Sequence, residues 1–505
     1  MRIGIDVGGT NTDAALIGDG GDVLATVKSP TTEDVTSGVA AALAGLGATQ
    51  VSAVMIGTTH FVNALVEAAR LEPVAAVRLG LPATAALPPM VDWPQRLREV
   101  VEGAVYLCHG GHEYDGTPIS DLDPDELRQV AADIRRRGLR SVAISSVFSP
   151  VSDSSERRAA DILSAELGPE AHISLSSEIG RVGMLARENA TIVNAALRPL
   201  AARTVAAFAH ALEVAGIDAP LFLSQNDGTL MDVSRALRYP VATFASGPTN
   251  SMRGAAYLSG LTDCAVVDIG GTTTDVGILV GGFPREASGE AMVGEVRTNF
   301  RIPDVLSIGI GGGSVVADDG SVGPRSVGYL LPEEALVFGG GTLTATDLAV
   351  AAGHAAIGDP ALVAGVDPAE PLKVIAGRVA DAVDRMRTSP EPLPVVLVGG
   401  GSILISDLPG FDDVRRPDHF AVANAVGAAI AQVGGEVDKV YSGPRETVLR
   451  EAKNEAVARA ERAGARTGSV RIAEVEEVPL AYLPGDATRI RVKAVGDLDL
   501  EKINA

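Results

Sequence analysis

At 505 residues the chain is too long for one core, and its length points to about three domains or subdomains around a large apolar interior. Hydrophobic residues make up 46%, charged residues 21% and aromatics 4%, which excludes a disordered or fibrous chain and fits an Ala/Val/Gly-rich α/β enzyme. With 64 acidic against 42 basic residues the formal charge is −22, which argues against nucleic acid as a partner, since no basic tract exceeds Arg135-Arg136-Arg137 at the end of a predicted helix. Cys108 and Cys264 are the only cysteines, too few for a disulfide framework, which fits a reducing cytoplasm. No apolar run approaches about 18 residues, and the first residues enter a strand without a leader, so a protein that is neither exported nor inserted in a membrane is expected.

The chain opens with a strand that runs into a tight glycine turn, Ile5-Asp6-Val7-Gly8-Gly9-Thr10-Asn11-Thr12-Asp13, and then into apolar Ala14-Ala15-Leu16-Ile17. A helix follows over Thr36–Leu46 and a strand over Val51–Ile56. That strand ends in Gly57-Thr58-Thr59-His60-Phe61-Val62-Asn63, where Thr58 or Thr59 can cap the next helix. Thr58, Thr59 and Asn63 are candidate substrate contacts lining a cleft, with a plain helix cap as the alternative.

Residues from about 79 to 178 read as an insertion within an N-terminal lobe of residues 1–178. Pro82, Pro88, Pro89 and Pro94 break any long helix before the helix Asp123–Gly138, with Pro124 near its first turn, and the strand Ser141–Val147. The loop Cys108-His109-Gly110-Gly111-His112-Glu113-Tyr114-Asp115-Gly116 is the chain's one cluster of metal-capable residues, and its spacing matches no standard zinc pattern. His112 and Asp115 are candidate substrate contacts, with a metal site or a structural loop as alternatives.

A second lobe is expected over residues 179–435. Its helix from Ile179 to Glu213 carries Asn189 and Asn194, which are either ordinary polar positions or face the cleft. The strand Pro220–Leu223, the turn Asn226-Asp227-Gly228 and the loop from Ala245 to Gly254 lead to the strand Ala265-Val266-Val267. That strand runs into Asp268-Ile269-Gly270-Gly271-Thr272-Thr273-Thr274-Asp275 and then Val276-Gly277-Ile278-Leu279-Val280, repeating the N-terminal pattern at a constant offset of 262 residues.

The repeated pattern suits a nucleotide. Glycine lets the backbone approach a phosphate, Thr hydroxyls and turn N–H groups donate to its oxygens, and a strand-end Asp can hold hydrated Mg²⁺. Asp6 and Asp268 are therefore the candidate Mg²⁺ ligands, and with Asp13 and Asp275 the candidate catalytic acids. Gly8, Gly9, Thr10, Asn11 and Thr12 in one copy, and Gly270, Gly271, Thr272, Thr273 and Thr274 in the other, are the candidate phosphate contacts.

Further along, Arg297 and Arg301 lie four apart in Val296–Asp304; in an extended strand they share a face, and they are candidate anion contacts, with ion pairs to Asp304 or Glu295 as the alternative. Two more strand-to-glycine turns, Gly311-Gly312-Gly313 and Gly399-Gly400-Gly401, are candidate nucleotide contacts, the second accommodating adenosine. Neither matches the dinucleotide or Walker pattern, which argues against both of those classes. A small apolar helix is expected over Ala421–Gly434, and residues 436–505 form an α+β appendage with a helix to about Ala463 and segments Ser469–Ile472 and Arg489–Val495.

The paired hairpins are similar to those with which the actin-like ATPase superfamily grips the β- and γ-phosphates of ATP. Within that superfamily the chain resembles the hydantoinase/oxoprolinase family, in its A-subunit-like branch, over about residues 1–430. The resemblance rests on Gly4–Asp13, Gly57–Ala64, Ser246-Gly247-Pro248, Asp268–Asp275, Gly311–Ser314 and Gly399–Gly401, in that order and spacing. It implies an α/β, ribonuclease H-like two-lobe fold with an inserted subdomain, and ATP and Mg²⁺ as cofactors. It also implies ATP-dependent opening of a cyclic amide (a hydantoin, 5-oxoproline or related lactam) by phosphorylation of its carbonyl, or a related carboxylation. A small-molecule kinase and an ATPase or activator subunit of a carboxylase-like complex are the alternatives. The chain is shorter than the A subunits, whose large C-terminal domain is expected to be missing here. The partners implied are a second subunit of the hydantoinase B type and further copies in an oligomer.

Overall fold

The computed structural model describes residues 1–505 apart from 10, 31–34, 288, 290, 481–486 and 501–505. Apolar runs broken by a single acid, Arg2–Val7 and Cys264–Ile269, form strands with nearly every residue buried, as runs without polar alternation do when both sheet faces are covered. Each strand is the centre of the same local arrangement. Arg2–Val7 pairs antiparallel with Asn11–Ile17 on one side and parallel with Ala53–Thr58 on the other. Cys264–Ile269 pairs antiparallel with Thr274–Val280 and parallel with Val395–Val398. The two lobes are thus built on one repeated motif, and the turns that follow Thr58 and Val398 occupy equivalent places.

The first sheet has nine strands. From one edge they run Arg471–Pro479, Thr488–Gly496, Gln432–Tyr441, Thr229–Asp232, Leu221–Ser224, Ala53–Thr58, Arg2–Val7, Asn11–Ile17 and Val23–Pro30. The second sheet centres on Cys264–Ile269, with Val305–Ile308 also pairing to Thr274–Val280. The strand memberships cut across the sequence division at 178 and 435. Leu221–Ser224 and Thr229–Asp232 join the first sheet, and the α+β segment after 436 continues that same sheet through Gln432–Tyr441. The small helix ends early, at Ala429, and the strand from Gln432 was not expected, because Gly434-Gly435 and the acids Glu436 and Asp438 hide its period-two pattern.

The insertion is a four-stranded parallel sheet, ordered Glu102–His109, Val74–Leu81, Ser141–Ser146, His172–Leu175. The expected helix spans Pro124–Arg136, with Asp123 accepting from the Asp125 and Glu126 amides and arginines in its last turn. A buried ion pair, Arg78 Nε to Glu188 Oε2 at 2.7 Å, fastens this unit to the 31-residue helix Met184–Val214. Asn189 and Asn194 on that helix are structural, Asn189 accepting from Trp93 Nε1 at 2.8 Å and Asn194 donating to the Arg238 carbonyl at 2.9 Å.

Residues 291–304 form a strap across the first lobe. Ala291, Val293, Val296 and Phe300 are buried in the first lobe's core, so the two lobes are joined through apolar packing as well as along the chain.

Candidate functional site

The two hairpins close with the same turn. Gly8 N–H donates to the Asn11 carbonyl at 3.0 Å and Gly270 N–H to the Thr273 carbonyl at 2.9 Å, while Asp6 lies opposite Asp13 and Asp268 opposite Asp275 across the strand pairs. Thr10 lies outside the described residues. A side chain on Gly9 would meet open space, so the tip of the first turn is accessible to a ligand. Asn11 and Thr272 are partly exposed and Thr273 is exposed. Thr12 and Thr274 differ from expectation: both are fully buried, and Thr274 Oγ1 donates to the Ile310 carbonyl at 2.7 Å. As strand residues they point into the fold, where they stiffen the turn instead of presenting hydroxyls.

The carboxylates converge. Asp6 is 5% exposed and accepts from Asn424 Nδ2 at 3.1 Å and, at a long 3.4 Å, from Asn250 Nδ2. The same Asn424 Nδ2 donates to Asp13 at 2.9 Å, and Lys28 Nζ lies 2.6 Å from the other Asp13 oxygen. On the second hairpin, Ser251 bonds Asp268 and the Ser307 hydroxyl donates to Asp275. Burial pushes Asp6 up to about 6, with the Asp13 charge adding to it. Burial also pushes Asp268 up to about 6, helped by Asp275, Asp6 and Asp13, so acids of both lobes feel one another. Asp275 is raised by burial against the Ser307 bond.

Sequence reasoning missed Lys28, Asn250, Ser251 and Asn424, which position these acids. Asn250 and Ser251 sit in the first turns of the helix Ser246–Ser259, entered through Ala245 at φ 58°, and Asn424 begins the helix Ala423–Ala429. These helices cross in contact between the lobes: a Cβ on Gly254 would lie 1.8 Å from the Ala423 carbonyl oxygen, and one on Gly427 would lie 1.9 Å from that of Asn250. A lone asparagine in an otherwise small, apolar helix was the available signal.

Such acids fit a hydrated cation. Among the described residues no group of three or more His, Cys, Asp or Glu side chains is placed to hold a metal by itself. Mg²⁺ is held by one or two carboxylates with phosphate oxygens and waters completing its shell, and buried Asp6 and partly exposed Asp268, mutually repelling and beside open turns, match that requirement.

The glycine turns serve differently. Gly311, Gly312 and Gly313 are buried behind the second hairpin, with the Gly312 and Gly313 amides donating to the Gly270 and Gly271 carbonyls at 2.9 and 2.7 Å. They brace that turn in place of the direct nucleotide contact expected. Gly399 and Gly401 also press on the hairpin, a Cβ on Gly399 falling 2.2 Å from Asp268 Oδ1, whereas Gly400 faces open space.

Thr58 and Thr59 adjoin the first hairpin. Thr59 N–H donates to the Val7 carbonyl at 3.3 Å, Thr58 Oγ1 accepts from His60 N–H at 3.2 Å, and Asn63 Nδ2 reaches Thr59 Oγ1 at 3.4 Å. His112 and Asp115 stay within the insertion: buried His112 meets Ser154 Oγ at 3.2 Å, and exposed Asp115 closes a turn on the Thr117 amide at 2.9 Å.

Arg297 and Arg301 do not share a face, because the strand Val296–Thr298 ends between them. Arg297 lies 3.1 Å from Asp92. Arg301, 9% exposed, is engaged by Glu286 at 2.8 Å, Asp438 at 2.8 Å and Glu436 at 3.2 Å, while Asp304 and Glu295 pair with Arg285 and Arg96. Burial pushes Glu286 up to about 8 and Glu436 to about 7, and Arg301 shares the task of holding these acids together with Arg491, at 2.5 Å from Glu286 and 3.4 Å from Glu436, and Arg489, at 2.6 Å from Asp438. Arg301→Lys keeps the charge and loses the fork; we expect it to cost about 2 kcal/mol in denaturant unfolding with KM unchanged, and a raised KM at wild-type stability would return Arg301 to the ligand contacts.

Comparison with known proteins places this geometry. Residues 2–167 match the hydantoinase/oxoprolinase N-terminal region, and residues 187–374 match hydantoinase/oxoprolinase. The chain is 27% identical over 471 residues to the caprolactamase subunit alpha of Pseudomonas jessenii, covering 85% of this chain and 65% of that one. It is 27% identical over 254 residues to the acetophenone carboxylase gamma subunit of Aromatoleum aromaticum, covering 47% and 34%. The chain therefore spans less than two thirds of the length of these curated relatives. Among solved structures, ATP-dependent caprolactamase from Pseudomonas jessenii superposes with a TM-score of 0.78 at 20% identity, covering 99% of this chain and 88% of that one. Nucleotide-free acetone carboxylase superposes with a TM-score of 0.68 at 17% identity, covering 99% and 88%. The fold is the two-lobed α/β fold shared with these ATP-dependent enzymes, and the two matched regions together span well over half of the chain: it belongs to the hydantoinase/oxoprolinase family.

Proposed function

We propose that this protein is an ATP-dependent hydrolase that opens a five-membered or larger cyclic amide. The observation that carries the reading is the convergence of Asp6, Asp13, Asp268 and Asp275 from two matching hairpins, the first pair held by asparagines from helices between the lobes and the second by Ser251 and Ser307. Similarity to a caprolactamase subunit supports the cyclic-amide class, with hydantoins, 5-oxoproline and other lactams as the ring types to test. When bound, Mg·ATP supplies a phosphoryl group to the amide oxygen, which leaves the ring carbon open to water, so that ring-opened acid, ADP and free phosphate are the products.

Asp6 and Asp268 would hold the cation, and the Gly8-Gly9 and Gly270-Gly271 turns would place backbone N–H groups on the phosphates. Asn424 keeps Asp6 and Asp13 in one orientation, and Lys28 offsets the Asp13 charge, so the site needs little reorganisation when a ligand arrives. Asp275, with its raised affinity for a proton, is the group of this set suited to accept one from water. Cys108 and Cys264 are buried thiols pushed up to about 12, in keeping with a reducing cytoplasm, and no helix among the described residues is long and apolar enough to cross a membrane.

The test is product analysis of the purified chain with ATP and a lactam panel, alone and with a candidate second subunit. Ring-opened acid with free phosphate supports the reading, and a phosphorylated product converts it to a kinase. A second reading, the ATPase subunit of a carboxylase-like complex, is favoured by the similarity to the acetophenone carboxylase gamma subunit and predicts ATP turnover only when a partner is added.

The raised acids also set a pH dependence. ATP turnover should rise as pH passes through about 6, because the deprotonated pair is what holds the cation. Without metal, the stability these two groups contribute is full below the unfolded value of about 3.8 and lost as pH rises through about 6. Mg²⁺ should therefore raise Tm more at pH 8 than at pH 5, and an equal shift at both would remove the pair from the metal site.

A further inference from the structure

A cavity of about 640 Å³, within the range of small-molecule sites, opens on the first lobe beside the strap. Its walls come from the linker Ser177–Arg181, the turn after Leu221–Ser224, the helix Val233–Arg238, the strap and the end of the helix Arg445–Arg462. None of the four hairpin acids lines it.

Three guanidinium groups on these walls, Arg181, Arg235 and Arg462, donate no hydrogen bond to any described residue. The nearest carboxylate oxygens to Arg181 are at 3.7 Å on Asp438 and 3.8 Å on Glu286, and its Nη2 is buried without a hydrogen-bond partner. Arg235 stacks 5.2 Å over the Tyr239 ring, whose hydroxyl is held by Glu178 at 2.6 Å. Arg301, also on the wall, is spent on three acids. A guanidinium brings five donors in a planar fork that suits carboxylate, and in a chain of net charge −22 two forks without an ion pair to a described residue, Arg235 and Arg462, beside the loosely paired Arg181 are conspicuous on one cavity.

The cavity is also wired to the hairpins. Asn226 on its wall donates to the Arg301 carbonyl at 2.6 Å and accepts from Thr249 Oγ1 at 2.9 Å. Thr249 directly precedes Asn250 and Ser251, which hold Asp6 and Asp268.

We propose that this cavity binds a small organic carboxylate through Arg181, Arg235 and Arg462, and that the ring-opened acid is the class of ligand it takes. The second clause rests on the reaction proposed above and the first does not. The ring-opened acid is anionic and forms within the same chain; Glu178, Asp227, Asp232, Glu436 and Asp438 also line the cavity, so it is the arginine side of the wall, Arg181, Arg235 and Arg462, that would hold it.

The experiment is calorimetric titration of the full chain with glutamate, succinate and inorganic phosphate. Saturable binding of a carboxylate is expected, weakened about tenfold or more in the double variant Arg235→Gln/Arg462→Gln and retained in Asp268→Asn. Both arginines are exposed and carry no ion pair to a described residue, so the double variant should keep the wild-type Tm. Absence of carboxylate binding, binding unchanged in the double variant, or binding lost in Asp268→Asn would each overturn the proposal. Phosphate bound as tightly and lost in the same variant would make this a phosphate site in its place. Carboxylate binding that survives while the lactam panel yields no acid would keep the site and remove only its link to the product.

Discussion

Asp268→Asn should lower ATP turnover by about a hundredfold or more while leaving the protein folded. Asp268 ends a buried strand, remains partly exposed, and is close enough to Asp275, Asp6 and Asp13 for their charges to raise its affinity for a proton. An acid that sits among other acids is unfavourable for the fold when ionised, so its removal should not reduce stability in metal-free buffer at pH 8. The amide keeps the shape and the bond to Ser251 but cannot neutralise a cation. Steady-state ATPase rates and thermal unfolding of the variant decide the matter together. A variant with wild-type turnover and wild-type Tm would mean that the second hairpin does not carry the nucleotide chemistry.

Gly427→Val should cost about 3 kcal/mol or more and abolish turnover at the same time. The helices Ser246–Ser259 and Ala423–Ala429 touch backbone to backbone, and the added Cβ would begin 1.9 Å from the Asn250 carbonyl oxygen, an atom with no rotamer to yield. Separating the helices moves Asn250 and Asn424 together, and with them the orientation of Asp6 and Asp13. Gly47→Ala is the contrasting change, strained by a φ of +64° but meeting nothing within 4 Å, and it should leave ATPase activity alone. Denaturant melts with parallel ATPase assays separate the two variants. Equal stability of Gly427→Val and wild type would mean that the crossing relaxes without cost and does not fix the site.

The hairpins were legible in the sequence because a tight turn is encoded locally: Gly8-Gly9 and Gly270-Gly271 must follow a strand-end acid within two residues, and the repeat at a fixed offset exposes the duplication. The family could be read for the same reason, since its motifs are short runs of backbone geometry. The groups that orient the acids were not legible. Asn424 meets Asp6 across 418 residues, and Asn250 meets it across 244, so nothing near either asparagine reports the partner. For Arg301 the sequence offers an anion contact or an ion pair with Asp304 or Glu295, and its carboxylates prove to include Glu436 and Asp438, on a strand whose register with Thr488–Gly496 sets which charges face one another. Strand and turn chemistry follow from neighbours in the chain. Charge pairing and close helix contact depend on which distant backbone arrives at a given face, and only the tertiary structure decides that.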